Sequence, residues 1–327
     1  MRIVMMGTGT FAEPTFLKLL QQGQHPIIGL VTNPDRPSGK GKKFESDRSI
    51  KRLAEQFRCP VFQPESVNAP ESLTMMRAMQ PDLYVVAAYG QILSSELLAI
   101  PTWGAINVHA SLLPKYRGAA PIAWAIMQGE TETGVTIIKL NPRLDAGDML
   151  AQVRTPIGAK ETEGQLEARL AELGADLTLK VLEQIVQGTT QAIQQDRSQV
   201  TKAPKLTKEK GSIDWNQRAE AIERLIRALQ PWPTAYTHWL AEKQTPMRII
   251  LLEGEPLEGI SDQAPGTVVH WPGKPLVVAC GAGTLLAIHR LQPAGKRAMS
   301  AEDFLRGHRI QAGDRFGPER SPSTNCP

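Results

Sequence analysis

Residues 82–89 (DLYVVAAY) run through seven consecutive apolar side chains. A strand with one wet face alternates apolar and polar residues. An unbroken run of this length instead fits a strand buried on both faces. Such a strand needs helices above and below it, and the neighbouring chain supplies them. Arg2–Met6 reads as a strand, Gly7–Thr10 as a turn, Phe11–Leu20 as a helix and Pro26–Thr32 as the next strand. Ser49–Phe57 and Glu71–Met79 read as helices. Val61–Phe62, Ala105–His109, Thr133–Leu140 and Met149–Thr155 read as strands. This alternation predicts an α/β unit with a mostly parallel sheet. Over Thr162–Val186, Leu166, Leu170, Leu173, Leu177, Val181 and Ile185 recur three or four apart, the spacing of a long amphipathic helix.

The character changes after that helix. Thr189–Gly211 is polar, basic and without period, and reads as a connector. Ala219–Leu229 is an amphipathic helix stopped by Pro231-Trp-Pro233. Five short strands between turns follow, at 235–240, 247–252, 266–271, 276–279 and 284–291. Many short strands in some 80 residues predict a small β-barrel. The expected plan is a first domain over 1–189, a basic linker over 190–210, a barrel over 211–315 and a flexible tail over 316–327. A length of 327 residues suits two domains. No apolar run approaches the length of a membrane span. The N-terminus runs directly into a strand, so no signal peptide is expected. Cysteines at 59, 280 and 326 match no disulfide or metal spacing, so the expected compartment is a reducing cytoplasm.

The net charge is only +4, but it is unevenly placed. Residues 1–190 hold 19 basic and 19 acidic side chains, and residues 191–327 hold 18 and 14. Arg197–Lys210 carries five basic residues, and Arg36–Arg52 carries seven against two acids. Two positive patches on a near-neutral chain point to a polyanionic partner.

Gly7-Thr-Gly-Thr-Phe-Ala12 follows a strand and opens a helix, in the loose form of a dinucleotide fingerprint. Asp35, about 20 residues on, falls in an N-P-D-R-P loop rather than at a strand end, so the glycines read as a tight structural turn. The centre of the chain carries more chemistry. Asn107 and His109 are two apart at a strand end, so both point to one side. An amide can donate to a developing oxyanion and an imidazole can move a proton, a pairing that suits acyl chemistry. Leu144-Asp-Ala-Gly-Asp148 offers two carboxylates in a loop able to return to the same edge. Either one could hold the His109 tautomer and favour its charged form. Spacing leaves the choice between Asp145 and Asp148 open. Lys115-Tyr-Arg117 sets two cations and an aromatic beside these residues. The six histidines show no metal-ligand spacing, so no metal is expected.

N-V-H-A-S-L-L-P-K-Y-R-G-A-A-P-I at 107–122 and L-D-A-G-D-M at 144–149 resemble the two signatures of the folate-dependent formyltransferases. P-D-R-P-S-G-K-G-K-K at 34–43, I-D-W at 213–215, P-W-P at 231–233 and L-Q-P-A-G-K-R-A-M-S at 291–300 resemble the branch of that family whose acceptor is initiator methionyl-tRNA. The resemblance implies a Rossmann-like domain followed by a small OB-like barrel. It implies transfer of a formyl group from 10-formyltetrahydrofolate to the α-amine of that tRNA. It places the catalytic set on Asn107, His109 and Asp145, and folate contacts on Ser111, Leu112, Leu113 and Pro114. The pterin would lie under Val85–Gly90, with Tyr89 and Gly90 closest. The tRNA would meet Lys40, Lys42 and Lys43 of the inserted loop and Lys202, Lys205, Lys208 and Lys210 of the connector. A monomer is expected. Two departures stand out. Lys40 occupies a position where arginine is usual, and Ala110 one where glycine is common. Other acceptors or roles consistent with the residues are an amino sugar nucleotide, hydrolysis of the formyl-folate, or RNA binding without catalysis.

Overall fold

The computed structural model describes residues 1–35, 45–240 and 245–318, and the chain divides into two compact units. The first comprises Met1–Ile122, Thr131–Ile157 and Gln165–Lys205. Its elements begin with β1 (Ile3–Gly7), α1 (Gly9–Gln22), β2 (Ile27–Val31), α2 (Glu45–Gln56), β3 (Val61–Phe62), α3 (Pro70–Ala78) and β4 (Leu83–Ala87). They continue with α4 (Ser95–Leu98), β5 (Ala105–His109), β6 (Arg117–Gly118), β7 (Glu132–Lys139), β8 (Met149–Pro156), α6 (Glu163–Gln187) and β9 (Lys202–Ala203), whereas α5 (Pro121–Gln128) begins in this unit and belongs mostly to the second.

Seven strands form one sheet in the order β3-β2-β1-β4-β5-β7-β8. Every residue of β1 and β4 is buried, as their unbroken apolar runs require. The five strands β3, β2, β1, β4 and β5 are parallel, whereas β7 pairs antiparallel with β5, and β8 pairs antiparallel with β7. The sheet is therefore mixed rather than parallel throughout. The cause is a connection that does not cross: His109 ends β5 opposite Thr136 of β7, so the chain enters β7 at the end of the sheet where it leaves β5. Helix α6 buries Leu166, Leu170, Val181 and Ile185 as its period predicts, while Leu173 and Leu177 of the same expected face are half-buried. It approaches β5 closely at Gly174, where a Cβ would stand 2.8 Å from Val108.

The second unit comprises Ala123–Glu130, Gly158–Gly164 and Leu206–Pro327. Its remaining elements are α7 (Ala219–Ala228), β10 (Ala235–Trp239), β11 (Met247–Leu257), β12 (Val268–Trp271), β13 (Lys274–Ala279), β14 (Leu285–Pro293), β15 (Met299–Ser300), α8 (Ala301–Gly307) and β16 (Phe316–Gly317). The strands pair antiparallel in the order β12-β13-β14-β11-β10-β16, with β15 on β14. The two edges meet: the Val268 amide donates to the Asp314 carbonyl at 2.8 Å and the Phe316 amide to the Gly266 carbonyl at 2.7 Å. That closure, with the Thr267–Arg315 bridge, makes the sheet a barrel. Trp215, Ile222, Ile226, Trp239, Ile249, Leu251, Ile288, Leu291, Phe304 and Phe316 fill its core.

Two boundaries differ from expectation. The residues expected to form a linker at 190–210 do not hang free, because those up to Lys205 belong to the first unit. The segment is aperiodic because its strand pairing is confined to short contacts, Ile193 with Met149 of β8 and β9 with β6. The tail expected over 316–327 does not start at 316 either. Phe316 and Gly317 pair with Trp239 and His238, and the Phe316 ring lies 6.2 Å from that of Trp215. Residues 319–327 lie outside the described residues. Among the described residues, no helix is long and apolar enough to cross a membrane.

The turn after β1 tests the reading of its glycines. A Cβ on Gly7 would stand 2.3 Å from the Ala87 carbonyl oxygen and 2.8 Å from the Phe16 ring. Gly7→Ala is expected to destabilise the protein by about 1–3 kcal/mol through overpacking. Urea unfolding checks this as a lower midpoint at unchanged slope.

Candidate active site

Strand β5 carries the two residues around which the site is built. Asn107 lies between Val86 of β4 and Ile138 of β7, and His109 lies opposite Thr136. As alternate residues they share one side of the sheet. β5 has a parallel neighbour on one side and an antiparallel one on the other, so its end sits where the sheet changes direction.

His109 is only 5% exposed. Its Nε2 lies 3.0 Å from the Tyr116 carbonyl oxygen. A carbonyl only accepts, so this nitrogen carries a proton and donates. Nδ1 faces Asp145, with 3.7 Å to Oδ2. The tautomer is therefore held by a backbone carbonyl, not by a carboxylate as expected. Asp145 stands at ion-pair distance, and its Oδ2 accepts from the Gly118 amide at 2.8 Å. Burial separates the two aspartates that spacing could not. Asp145 is buried beside His109, whereas Asp148 is exposed, and its backbone carbonyl accepts from the Lys139 amide.

Asp145 reaches this place by an indirect route. β7 leaves the sheet at Lys139, and the Leu140 amide donates to the carbonyl of Ala105, the first residue of β5. The connection to β8 then folds back to the other end of β5. Asp145 itself has φ 47°, in the left-handed region. Gln195, 5% exposed, donates from its carboxamide nitrogen to the carbonyls of Asp145 at 2.8 Å and Gly147 at 2.7 Å. Its oxygen accepts from Nε and Nη2 of Arg117 at 3.0 and 2.7 Å. Burial draws the Arg117 guanidinium below its ordinary pKa, opposed by the Asp145 charge and assisted by Arg197.

The segment after β5 is pinned by side chains of the antiparallel strands. The Thr136 hydroxyl donates to the Ser111 carbonyl at 2.6 Å and accepts from the Leu113 amide at 3.1 Å. Gln152 of β8 donates to the Leu113 carbonyl at 2.8 Å. The Ser111 hydroxyl is spent on the Lys115 carbonyl at 2.7 Å, and Ser111 is fully buried. Leu113 is buried as well, so of this expected folate segment only Leu112 and Pro114 present surface. Tyr89 packs in the core, where burial pushes its phenol up to about 12, while Gly90 is exposed.

Lys202, Lys205, Lys208 and Lys210 are all exposed. The first two belong to the first unit and the last two to the second. Lys210 stands 4.8 Å above the Trp124 ring. Lys40, Lys42 and Lys43 lie outside the described residues. Among the described residues, no group of three or more His, Cys, Asp or Glu side chains could hold a metal ion. Sequence reasoning missed Thr136, Gln152 and Gln195. Each is a single polar residue in a segment whose period says nothing of its partner.

Comparison with known proteins narrows the class. Residues 1–182 match the formyl transferase family and residues 205–309 its C-terminal domain. A crystal structure of a sugar 3N-formyl transferase shares the fold at a TM-score of 0.64 and 15% identity, covering 91% of this chain and 99% of that one. Fold and family together define a formyl transferase. The methionyl-tRNA formyltransferase of Halalkalibacterium halodurans is 45% identical over 94% of this chain and 95% of its own length. That of Methylococcus capsulatus is 44% identical over 97% of this chain and 100% of its own length. The chain belongs to the methionyl-tRNA formyltransferase family.

Thr136→Val removes a hydroxyl that serves two backbone groups of the 111–113 segment. It is expected to lower unfolding free energy by about 1–3 kcal/mol, the cost of stranding a buried polar group. Thr136→Ser should retain most of the stability, and urea unfolding of the pair checks both.

Proposed function

We infer that this chain transfers the formyl group of 10-formyltetrahydrofolate to the α-amino group of initiator methionyl-tRNA. Full-length similarity to methionyl-tRNA formyltransferases supports the overall reaction. The observation that carries the mechanism is the burial of His109 and Asp145 side by side at the end of β5, with Asn107 on the same side of the sheet.

The acceptor amine, neutral when it reacts, attacks the formyl carbon. The formyl oxygen gains negative charge as the tetrahedral centre forms. Asn107 donates to that oxygen through its amide. His109 keeps Nε2–H on Tyr116, so in the charged ring Nδ1–H is the proton available to substrate. Asp145 is beyond hydrogen-bond length of Nδ1, so it compensates the ring's charge without occupying that proton. Each such donor supplies roughly 3–4 kcal/mol to the transition state. Collapse of the centre breaks the bond to N10 of the folate, which takes up the proton the amine loses. No covalent enzyme intermediate is needed, because an amine is already a competent nucleophile. Leu112, Pro114 and Gly90 offer the accessible surface for the folate near these residues. Lys40, Lys42, Lys43, Lys202, Lys205, Lys208 and Lys210 are assigned to tRNA phosphates. A cytoplasmic setting follows from the tRNA acceptor and suits the free thiols of Cys59 and Cys280.

The direct test is transfer from labelled 10-formyltetrahydrofolate to methionyl-tRNA, with uncharged and elongator tRNAs as controls. Label on an amino sugar nucleotide and none on the initiator tRNA would overturn the assignment. His109→Ala is expected to lower kcat by about 10²–10⁴-fold while folate affinity changes little. Asp145→Asn should lose most activity with the fold intact, and Asp148→Asn should stay near the parent rate. Steady-state kinetics beside circular dichroism measure all three.

Changing Lys202, Lys205, Lys208 and Lys210 together to alanine tests the electrostatic side. Each lost phosphate contact should reduce the magnitude of the log K against log salt slope by about 0.7–1. Filter binding of initiator tRNA across a salt series reads that slope. An unchanged slope and affinity would make these lysines surface charge only.

A further inference from the structure

The connector segment contributes one buried polar side chain to the first unit, and that side chain touches both loops of the site. We propose that Gln195 is a positioning residue for formyl transfer, acting through Asp145. The proposal rests on the assignment of Asp145 made above.

The Asp145 loop has reason to relax. It departs from the sheet at the far end of β5 and must fold back to reach His109. Asp145 holds φ 47° without being glycine, a sparsely populated backbone conformation that its surroundings must maintain. Two carbonyls of this loop, those of Asp145 and Gly147, converge on the Gln195 nitrogen within 2.8 Å. A carboxamide nitrogen has two N–H groups, one for each carbonyl. The other end of the same group faces Arg117, whose positive charge acts on Asp145. One side chain thus fixes the Asp145 backbone and orients the cation that balances its carboxylate.

The side-chain chemistry is specific. Methionine has nearly the same length but neither donor. Glutamate keeps the shape and the bond to Arg117 but turns oxygen toward both carbonyls. Asparagine falls one methylene short. Gln195 touches no reacting atom on this reading, so its loss acts on the rate of the chemical step rather than on substrate binding.

Kinetics of full-length Gln195→Met, Gln195→Glu, Asp145→Asn and the Gln195→Met, Asp145→Asn double variant test this. Gln195→Met is expected to lower kcat by about 10²-fold, the usual effect of misplacing a reacting group by an ångström. KM for the folate and for methionyl-tRNA should stay within about twofold. The double variant should be no slower than Asp145→Asn, because the two losses share one cause. If Gln195→Met does not fold, Gln195→Glu carries the test, with the same fall in kcat at unchanged KM. A Gln195 variant at the parent rate, a loss confined to KM, or losses that multiply in the double variant would overturn the proposal. Asp145→Asn at the parent rate would overturn the Asp145 assignment first and this proposal with it. Asp145→Asn slow and Gln195→Met fast would sink this proposal alone.

Discussion

Backbone polar groups buried at the end of a sheet must find partners, and in this molecule the loops around His109 have little ladder of their own. The chain answers with groups from distant segments. The Thr201 hydroxyl accepts from the Tyr116 amide at 2.8 Å, and the Arg117 amide donates to the Thr201 carbonyl at 2.9 Å. β6 and β9 pair as a two-stranded ribbon. The Tyr116 carbonyl that accepts from His109 Nε2–H is therefore held by residues some 85 positions further on. Thr136 and Gln152 do the same for the 111–113 backbone. The shape of the site is a solution to hydrogen-bond accounting before it is anything chemical.

Charge follows from the same arrangement. Asp145 has the Gly118 amide on one oxygen and Arg117 close by, so a buried carboxylate is neither unpaired nor unsolvated. Aspartate and arginine cancel in sign. In general, donors already in place stabilise an oxygen that becomes negative during a reaction more strongly than water does.

What could be read from the sequence was what burial periodicity encodes. β1, β4, α6 and the five barrel strands announce themselves by runs, three-to-four spacing or short strands between turns. Direction is not encoded that way, since β7 is buried through its middle like a parallel strand and yet runs the other way. The Asn107 and His109 pairing was legible from period two, but the choice between Asp145 and Asp148 needed the loop's path. Gln195 was invisible because a lone glutamine in a polar stretch carries no period, and its partners lie 48 to 78 positions away. Phe316 was misread for a similar reason: its strand is two residues long, and only its partners in the barrel make it one.

The placement of residues 193–203 also sets an order of events at the ribosome. Domains fold as they emerge, the N-terminal part first. All seven strands of the first sheet have been synthesised by Pro156 and the long helix by Gln187. A nascent chain at that stage can bury its core. It still lacks the glutamine that takes up the Asp145 carbonyl and the strand that fixes Tyr116. The framework is thus in hand before the residues that finish its working end have been translated. Only the next sixteen amino acids, to Ala203, complete the surroundings of residues that were all made long before.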